Sequence, residues 1–130
     1  MKIGFVGCGN MATAIIKGII KKQIIEEENI MASAKTKTTL ERVQRELGIK
    51  VSMDNSEVVK NSDIVVLAVK PQYYQEVIEQ IKDTVSDNQI IISIAPGKTL
   101  AWLQDCFGKN VKLVRTMPNT PALVGEGMTG

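Results

Sequence analysis

The sequence has no histidine and few aromatic residues. Among its 130 residues are two cysteines, one tryptophan, two tyrosines and two phenylalanines. Without histidine, the chain lacks the commonest general base near neutral pH and the commonest metal ligand. Cys8 and Cys106 lie far apart and have no metal-binding spacing, so we expect no metal site. Any chemistry is therefore expected to come from a cofactor or from residues elsewhere.

An excess of charge and long apolar runs are also missing. The net charge is +2, and no basic run is longer than a pair, so we expect no nucleic-acid partner. No apolar run approaches the length of about 20 residues that spans a membrane. The first residues, MKIGFVG, pass from one lysine straight into a strand pattern and do not resemble a signal peptide. We therefore expect a cytoplasmic protein with no membrane partner.

Short apolar runs alternate with segments of helical periodicity along the whole chain. The runs predict strands at residues 3–6, 30–32, 50–52, 64–69, 90–94 and 111–114. In the second helical segment, Thr38-x-x-Glu41 matches a capping box, and Gly48 is expected to end the helix. Parallel strands need crossover connections, so the alternation predicts one α/β domain with a Rossmann-type, doubly wound, mostly parallel sheet and helices on both faces. Ligands of such sheets bind at the carboxyl ends of the strands.

A glycine-rich loop follows the first predicted strand. In FVGCGNMA, residues 5–12, Gly7-x-Gly9-x-x-Ala12 fits the dinucleotide-binding fingerprint in its G-x-G-x-x-A form. Gly7 allows the tight turn, Gly9 lets a pyrophosphate approach the backbone, and Ala12 permits close packing of helix on sheet. The alternative is a plain strand–helix turn, but the position of the loop between a strand and a helix favours the dinucleotide interpretation. We interpret Cys8 as a small filler of the loop, since nothing nearby activates its thiol.

The end of the second predicted strand indicates which dinucleotide is bound. An NAD-specific site normally has Asp or Glu there, to bond the ribose 2′-OH. The stretch MASAKTKTT, residues 31–39, has no carboxylate and offers Ser33, Lys35 and Lys37 instead. Lysines ahead of a helix N-terminus gain from a nearby anion, and a 2′-phosphate is such an anion. The sequence thus favours NADPH over NADH, with NADH still possible; the alternative is that both lysines are only solvated.

Three further strand ends carry candidate site residues. Asn55 is either a helix N-cap or a ribose contact, and the sequence does not separate the two. Pro71 suits a helix start, whereas Lys70 places a charge at the mouth of the sheet. Pro96-Gly97 makes another bend after the fifth strand. Taken one at a time, these are ordinary loops.

Taken together, these segments resemble a known family. The stretches IGFVGCGNMATAI, AVKP and above all RTMPNTPALVGEGMTG are similar to the N-terminal domain of pyrroline-5-carboxylate reductase, the last enzyme of proline biosynthesis. The resemblance extends over all 130 residues. The Met-Pro-Asn-Thr-Pro-Ala segment is its most specific element, because many dehydrogenases share the glycine fingerprint.

The resemblance implies a set of site residues at the strand ends. Those implied to contact the cofactor are Val6, Gly7, Cys8, Gly9, Asn10, Met11, Ala12, Ser33, Lys35, Asn55, Ala68, Val69, Lys70, Pro71, Ala95, Pro96 and Gly97. Those implied to form the wall beside the nicotinamide and the imine substrate are Met117, Pro118, Asn119, Thr120 and Pro121. At Pro96 the family more often has alanine. No residue of this chain is implied to be catalytic, since a protonated imine is already an electrophile.

The resemblance also implies an activity. NADPH would reduce the C5=N bond of 1-pyrroline-5-carboxylate to give proline, and this chain would supply the cofactor-binding half. A helical second domain is expected after Gly130, where it would form a homo-oligomer and complete the substrate pocket, so we expect the 130 residues alone to have little or no activity. The alternatives are a non-catalytic, regulatory dinucleotide-binding module and a related dehydrogenase that acts on 3-hydroxy acids.

Overall fold

Six parallel strands form a single sheet in the residues that the structure describes. The computed structural model describes residues 1–94, 99–109 and 111–115. The strands are β1 (Ile3–Val6), β2 (Ile30–Ser33), β3 (Lys50–Ser52), β4 (Ile64–Leu67), β5 (Ile90–Ser93) and β6 (Lys112–Arg115). Their order in the sheet is β3-β2-β1-β4-β5-β6, and all five pairings are parallel. The predicted Rossmann-type doubly wound sheet is therefore confirmed.

In the described part of the chain, five α-helices connect the strands and cover both faces of the sheet. They are α1 (Asn10–Lys21), α2 (Lys37–Leu47), α3 (Asn55–Lys60), α4 (Tyr74–Ile81) and α5 (Leu100–Phe107). Short 3-10 turns, Glu27–Asn29 and Pro71–Tyr73, precede β2 and α4. The chain winds outward from β1 to β3 and then returns to place β4 against the other side of β1. The strand order thus reverses between β1 and β4, which is where such sheets bind their ligands.

The core consists of two apolar clusters, one on each face of the sheet. Neighbouring residues of a strand point to opposite faces, so Phe5 belongs to the cluster under α1 and α2, whereas Val6 belongs to the cluster under α3, α4 and α5. Both side chains are fully buried. This two-sided burial explains why the central strands are apolar runs rather than alternating patterns.

Helix α2 begins earlier than the sequence indicated. The predicted capping box at Thr38 is wrong, because α2 already starts at Lys37. Thr36 is the N-cap, and its hydroxyl accepts a hydrogen bond from the Thr39 N–H at 3.2 Å, which satisfies one amide of the first turn. The predicted end is confirmed, since Gly48 closes the helix at a φ of +70°.

Four strands also differ from the prediction, and β2 ends at Ser33 rather than at residue 32. β4 ends at Leu67 rather than at residue 69, and the chain there leaves the sheet after the Ala68 N–H donates to the Val6 carbonyl at 2.9 Å. β5 ends at Ser93 rather than at residue 94, and β6 runs one residue later than predicted. At β4 and β5 the apolar run overestimates strand length, because apolar residues continue past the last ladder hydrogen bond. The segment that follows Leu67 becomes part of the site.

Candidate functional site

The glycine loop turns sharply beneath the segment that follows β4. Gly7 has a φ of +93°, a conformation that side chains rarely adopt. A Cβ at this position would lie 2.7 Å from Val69 Cγ1 and 3.1 Å from the Val69 backbone nitrogen. At Gly9, by contrast, a Cβ would have no atom within 4 Å. Gly7 is thus required by the fold itself, whereas Gly9 leaves open space above the loop.

Helix α1 presents its N-terminus to that open space. Gly9 is its N-cap, no side chain caps the helix, and its first turn has no acidic residue. The Thr13 hydroxyl donates to the Gly9 carbonyl at 2.8 Å and so holds the loop against the helix. The uncapped N–H groups at the positive end of this twelve-residue helix can donate hydrogen bonds to an anion such as a pyrophosphate. The loop therefore fits the phosphates of a dinucleotide.

Cys8 lies inside the loop and is buried. Its side chain is 6% exposed, and burial raises the pKa of the thiol above its ordinary value, although a contact with Thr13 and the charge of Arg42 oppose the shift. A thiol with a raised pKa remains protonated and is a poor nucleophile at neutral pH. This environment agrees with the interpretation of Cys8 as a small filler residue.

A chain of hydrogen bonds connects the loop to two helices. The Ser33 hydroxyl, at the end of β2, accepts from the Gly7 N–H at 3.0 Å and donates to Asn55 Oδ1 at 2.5 Å. Asn55 Nδ2 in turn donates to Gln80 Oε1 at 2.8 Å. Asp54, whose Oδ1 accepts from the Ser56 N–H, is the N-cap of α3, so the N-cap role considered for Asn55 is wrong. Asn55 instead lines the site, and its bond to Gln80 joins α3 to α4.

Lys35 extends across the same edge of the sheet toward the segment after β4. Its ammonium nitrogen lies 3.7 Å from the centroid of the Tyr73 ring, a cation–π contact. Tyr73 belongs to the 3-10 turn that opens at Pro71, the position where proline was expected to start a helix. The preceding Lys70 is exposed. The two basic residues predicted for the site are therefore both at the carboxyl edge.

A groove of about 390 Å³ runs between these elements. Gly7, Ser33, Lys35, Asn55 and Val69 line it, which brings five of the predicted cofactor-binding residues together. The opposite wall comes from α4 and includes Glu76, Val77 and Gln80. Sequence reasoning did not find these α4 residues, because only the contact between α3 and α4 places them at the groove.

A second polar link joins the ends of β4 and β5. The Tyr74 hydroxyl is fully buried and donates to the Leu67 carbonyl at 2.8 Å. It also lies 3.1 Å from the Ser93 hydroxyl. Tyr74 lies on the buried apolar face of α4, and the helical spacing of that face gives no sign of this bond. A tyrosine among aliphatic residues of a buried face was the one available hint.

Several predicted site residues lie outside the described residues. They are Ala95, Pro96, Gly97, Met117, Pro118, Asn119, Thr120 and Pro121. Within the described ranges, no group of three or more His, Cys, Asp or Glu side chains could hold a metal ion. No helix in that part of the chain is long and apolar enough to cross a membrane.

The sequence matches the model of a known protein family. The family model described as "NADP oxidoreductase coenzyme F420-dependent" matches residues 2–97. The chain belongs to this family. Its glycine loop, the end of β2 and the turn after β4 all fall within the matched residues of the NADP oxidoreductase model.

The curated relatives that align with nearly the whole chain include pyrroline-5-carboxylate reductases. The enzyme of Methanosarcina acetivorans is 42% identical over 129 residues, which are 99% of this chain and 48% of the relative. That of Escherichia coli is 37% identical over 128 residues, 98% of this chain and 48% of the relative. The chain thus spans about half the length of these curated relatives, and the predicted resemblance to their N-terminal half is confirmed.

Solved structures agree with this comparison. A pyrroline-5-carboxylate reductase from Coxiella burnetii superposes with a TM-score of 0.87 at 35% identity, over 95% of this chain and 46% of that one. The Plasmodium falciparum enzyme, solved with NADP bound, gives a TM-score of 0.82 at 35% identity, over 97% of this chain and 45% of that one. The similarity therefore holds for the fold as well as the sequence.

Proposed function

We propose that this chain is the cofactor-binding half of a pyrroline-5-carboxylate reductase, which reduces 1-pyrroline-5-carboxylate to proline with NADPH. The observation that carries the proposal is the 42% identity to such a reductase over 99% of the chain. The carboxyl edge of the sheet agrees with it, because the glycine loop, the uncapped α1 and the groove meet there. We further propose a cytoplasmic location and a homo-oligomeric complete protein.

The residues of the loop fit a dinucleotide in a specific way. The backbone from Gly7 to Ala12 would receive the pyrophosphate, since Gly9 leaves the approach open and α1 offers its uncapped amides. NADPH, when bound, would supply the hydride and the protein its orientation. The backbone near Ala68 and Val69, which packs over Gly7, would border the cofactor on its way to the nicotinamide. Met117 to Pro121 and Ala95 to Gly97 are proposed to complete that end.

Lys35 is proposed to select NADPH. No carboxylate follows β2 in the stretch to residue 39, and Lys35 lines the groove there. Ser33 acts differently from Lys35 in this proposal. Its hydroxyl is buried and already bonded to both Gly7 and Asn55, so it would fix the loop and the ribose-facing wall, while Lys35 would provide the charge for the 2′-phosphate.

Titration of the chain with NADPH and NADH tests this assignment. We expect tighter binding of NADPH, because losing one charge-assisted phosphate contact costs roughly 1.5–3 kcal/mol. Lys35→Ala should remove most of that difference. Lys37→Ala is the matched control, since Lys37 is also exposed but begins α2 and should leave the preference intact. Equal affinities in the unaltered chain would contradict the proposal.

Turnover is proposed to need more than these residues. The chain spans about half of its curated relatives, so groups that hold the imine carboxylate are expected from the rest of the protein. Without them the imine is not oriented toward the nicotinamide, and the rate gain from orientation is lost. An assay that follows NADPH absorbance at saturating 1-pyrroline-5-carboxylate should show very slow or no turnover by the 130-residue chain. Turnover at ordinary enzyme rates would show that the site is complete without further residues.

A further inference from the structure

One contact of the groove is not explained by the fold or by the glycine loop. Lys35 follows β2, whereas Tyr73 follows β4, and their side chains meet with the ammonium 3.7 Å from the ring centroid. Lys35 is exposed and Tyr73 is 36% exposed, so neither side chain is needed to fill the core. Lys35 lines the groove, and the contact ties it to the turn that follows β4.

We propose that Tyr73 is a positioning residue for the 2′-phosphate of the cofactor, acting through Lys35. The inference rests on the proposed function, in which Lys35 binds that phosphate. A free lysine side chain has four rotatable bonds, and holding it in one place costs conformational entropy when a ligand binds. The contact with the Tyr73 ring already restricts the Lys35 side chain in the free protein. Lys35 therefore loses less conformational entropy when the phosphate binds.

The ring is suited to this role because it leaves the charge of Lys35 available. A carboxylate partner would neutralise the ammonium, but an aromatic face attracts it without adding a negative charge. An ammonium also has three N–H donors, so one side can rest on the ring while others face a phosphate. Glu76 lines the same groove, yet the two ion pairs found among the described residues, Arg42–Glu46 and Lys82–Glu79, involve neither Glu76 nor Lys35.

The test measures preference for the phosphate rather than affinity alone. Adenosine 2′,5′-bisphosphate and adenosine 5′-monophosphate differ only in the 2′-phosphate, and calorimetry gives the ratio of their affinities for the 130-residue chain. We expect Tyr73→Leu to lower this ratio about two- to fivefold, the range for an exposed cation–π contact. Tyr73→Phe keeps the aromatic face and should keep the ratio. An unchanged ratio in Tyr73→Leu would overturn the inference.

A double-mutant cycle separates positioning from a general structural effect. In the Lys35→Ala background, Tyr73→Leu should have no further effect on the ratio, because the residue through which Tyr73 acts is gone. If Tyr73→Leu lowered the affinity ratio equally in both backgrounds, the inference would be overturned. The proposal that the chain binds NADPH would be unaffected. Equal affinity of the unaltered chain for the two probes would instead contradict the proposed function, and the inference with it.

Discussion

The Ser33 hydroxyl accepts a hydrogen bond from the Gly7 backbone N–H at 3.0 Å. The same hydroxyl donates to Asn55 Oδ1, so one buried oxygen connects the glycine loop, the end of β2 and the start of α3. Ser33 itself is 1% exposed, whereas Gly7 and Asn55 are partly buried. The shape of the loop therefore depends on a residue 26 positions away in the sequence.

Ser33→Ala should destabilise the chain and loosen the loop. The Gly7 N–H and the Asn55 side-chain oxygen would each lose a partner in a partly buried place, at a cost of roughly 1–3 kcal/mol in the free energy of unfolding. Urea denaturation measures this cost. Ser52→Ala is the control: its hydroxyl, at the end of β3, bonds the Asp54 N–H and Glu57 in an exposed place, so a smaller effect is expected. Equal losses in the free energy of unfolding for the two substitutions would show that the Ser33 hydrogen bonds stabilise the fold no more than the exposed ones of Ser52.

A side chain added at Gly7 should lower stability, whereas one added at Gly9 should lower cofactor binding. Gly7→Ala places a Cβ against Val69 at a positive φ, so we expect a loss of roughly 2–5 kcal/mol in the free energy of unfolding. Gly9→Val meets open space and should leave the melting temperature nearly unchanged. Binding of NADPH to Gly9→Val should nevertheless fall sharply, because the side chain occupies the approach of the pyrophosphate. If Gly9→Val bound NADPH normally, the loop would be only a strand–helix turn.

The architecture could be predicted from the sequence because its signals are local and repeated. Apolar runs mark the strands, and residues at helical spacing such as Val77, Ile78 and Ile81 mark the buried face of α4. The dinucleotide loop is also local, since Gly7 and Gly9 lie in one turn. An error arose where two nearby threonines could both cap a helix, since Thr36 rather than Thr38 is the N-cap of α2. Between the two roles left open for Asn55, the structure excludes the N-cap, which is Asp54.

The connections between strand ends could not be predicted in the same way. The bond between Ser33 and Gly7, the contact between Lys35 and Tyr73, and the position of Glu76 at the groove depend on how distant elements pack. A single sequence shows which residues follow each strand, but not which of them meet. The sequence also predicted Ser33 as a ligand contact, but it gave no sign that the same hydroxyl bonds Gly7 and Asn55.

Tyr74→Phe should cost stability although it removes a single oxygen atom. Its buried hydroxyl donates to the Leu67 carbonyl and contacts the Ser93 hydroxyl, and both would lose a partner. We expect a loss of roughly 1–2 kcal/mol in the free energy of unfolding, measured by urea denaturation. Tyr73→Phe is the adjacent control, whose partly exposed ring should tolerate the change with almost no effect. A loss of equal size at both tyrosines would argue against the Tyr74 link.

Cys8 should make stability fall at alkaline pH. Burial raises the pKa of its thiol in the folded chain, so folding favours the protonated form. That contribution is complete below the unfolded pKa, about 8.5, and is lost as the pH rises through the higher folded value. Comparing urea denaturation of the unaltered chain and Cys8→Ala from pH 7 to 10 isolates it. The unaltered chain should lose more stability than Cys8→Ala across this range, and parallel curves would contradict the assignment.

The central claim is that the carboxyl edge of the sheet binds NADPH. Backbone amide NMR spectra recorded during an NADPH titration test it most directly, because they report the site residue by residue. The claim predicts the largest saturable shifts at Gly7, Gly9 and Lys35, with little change at Asn29 and Asn61, which line a small cavity at the opposite edge. Absence of saturable shifts, or shifts concentrated at Asn29 and Asn61, would contradict it.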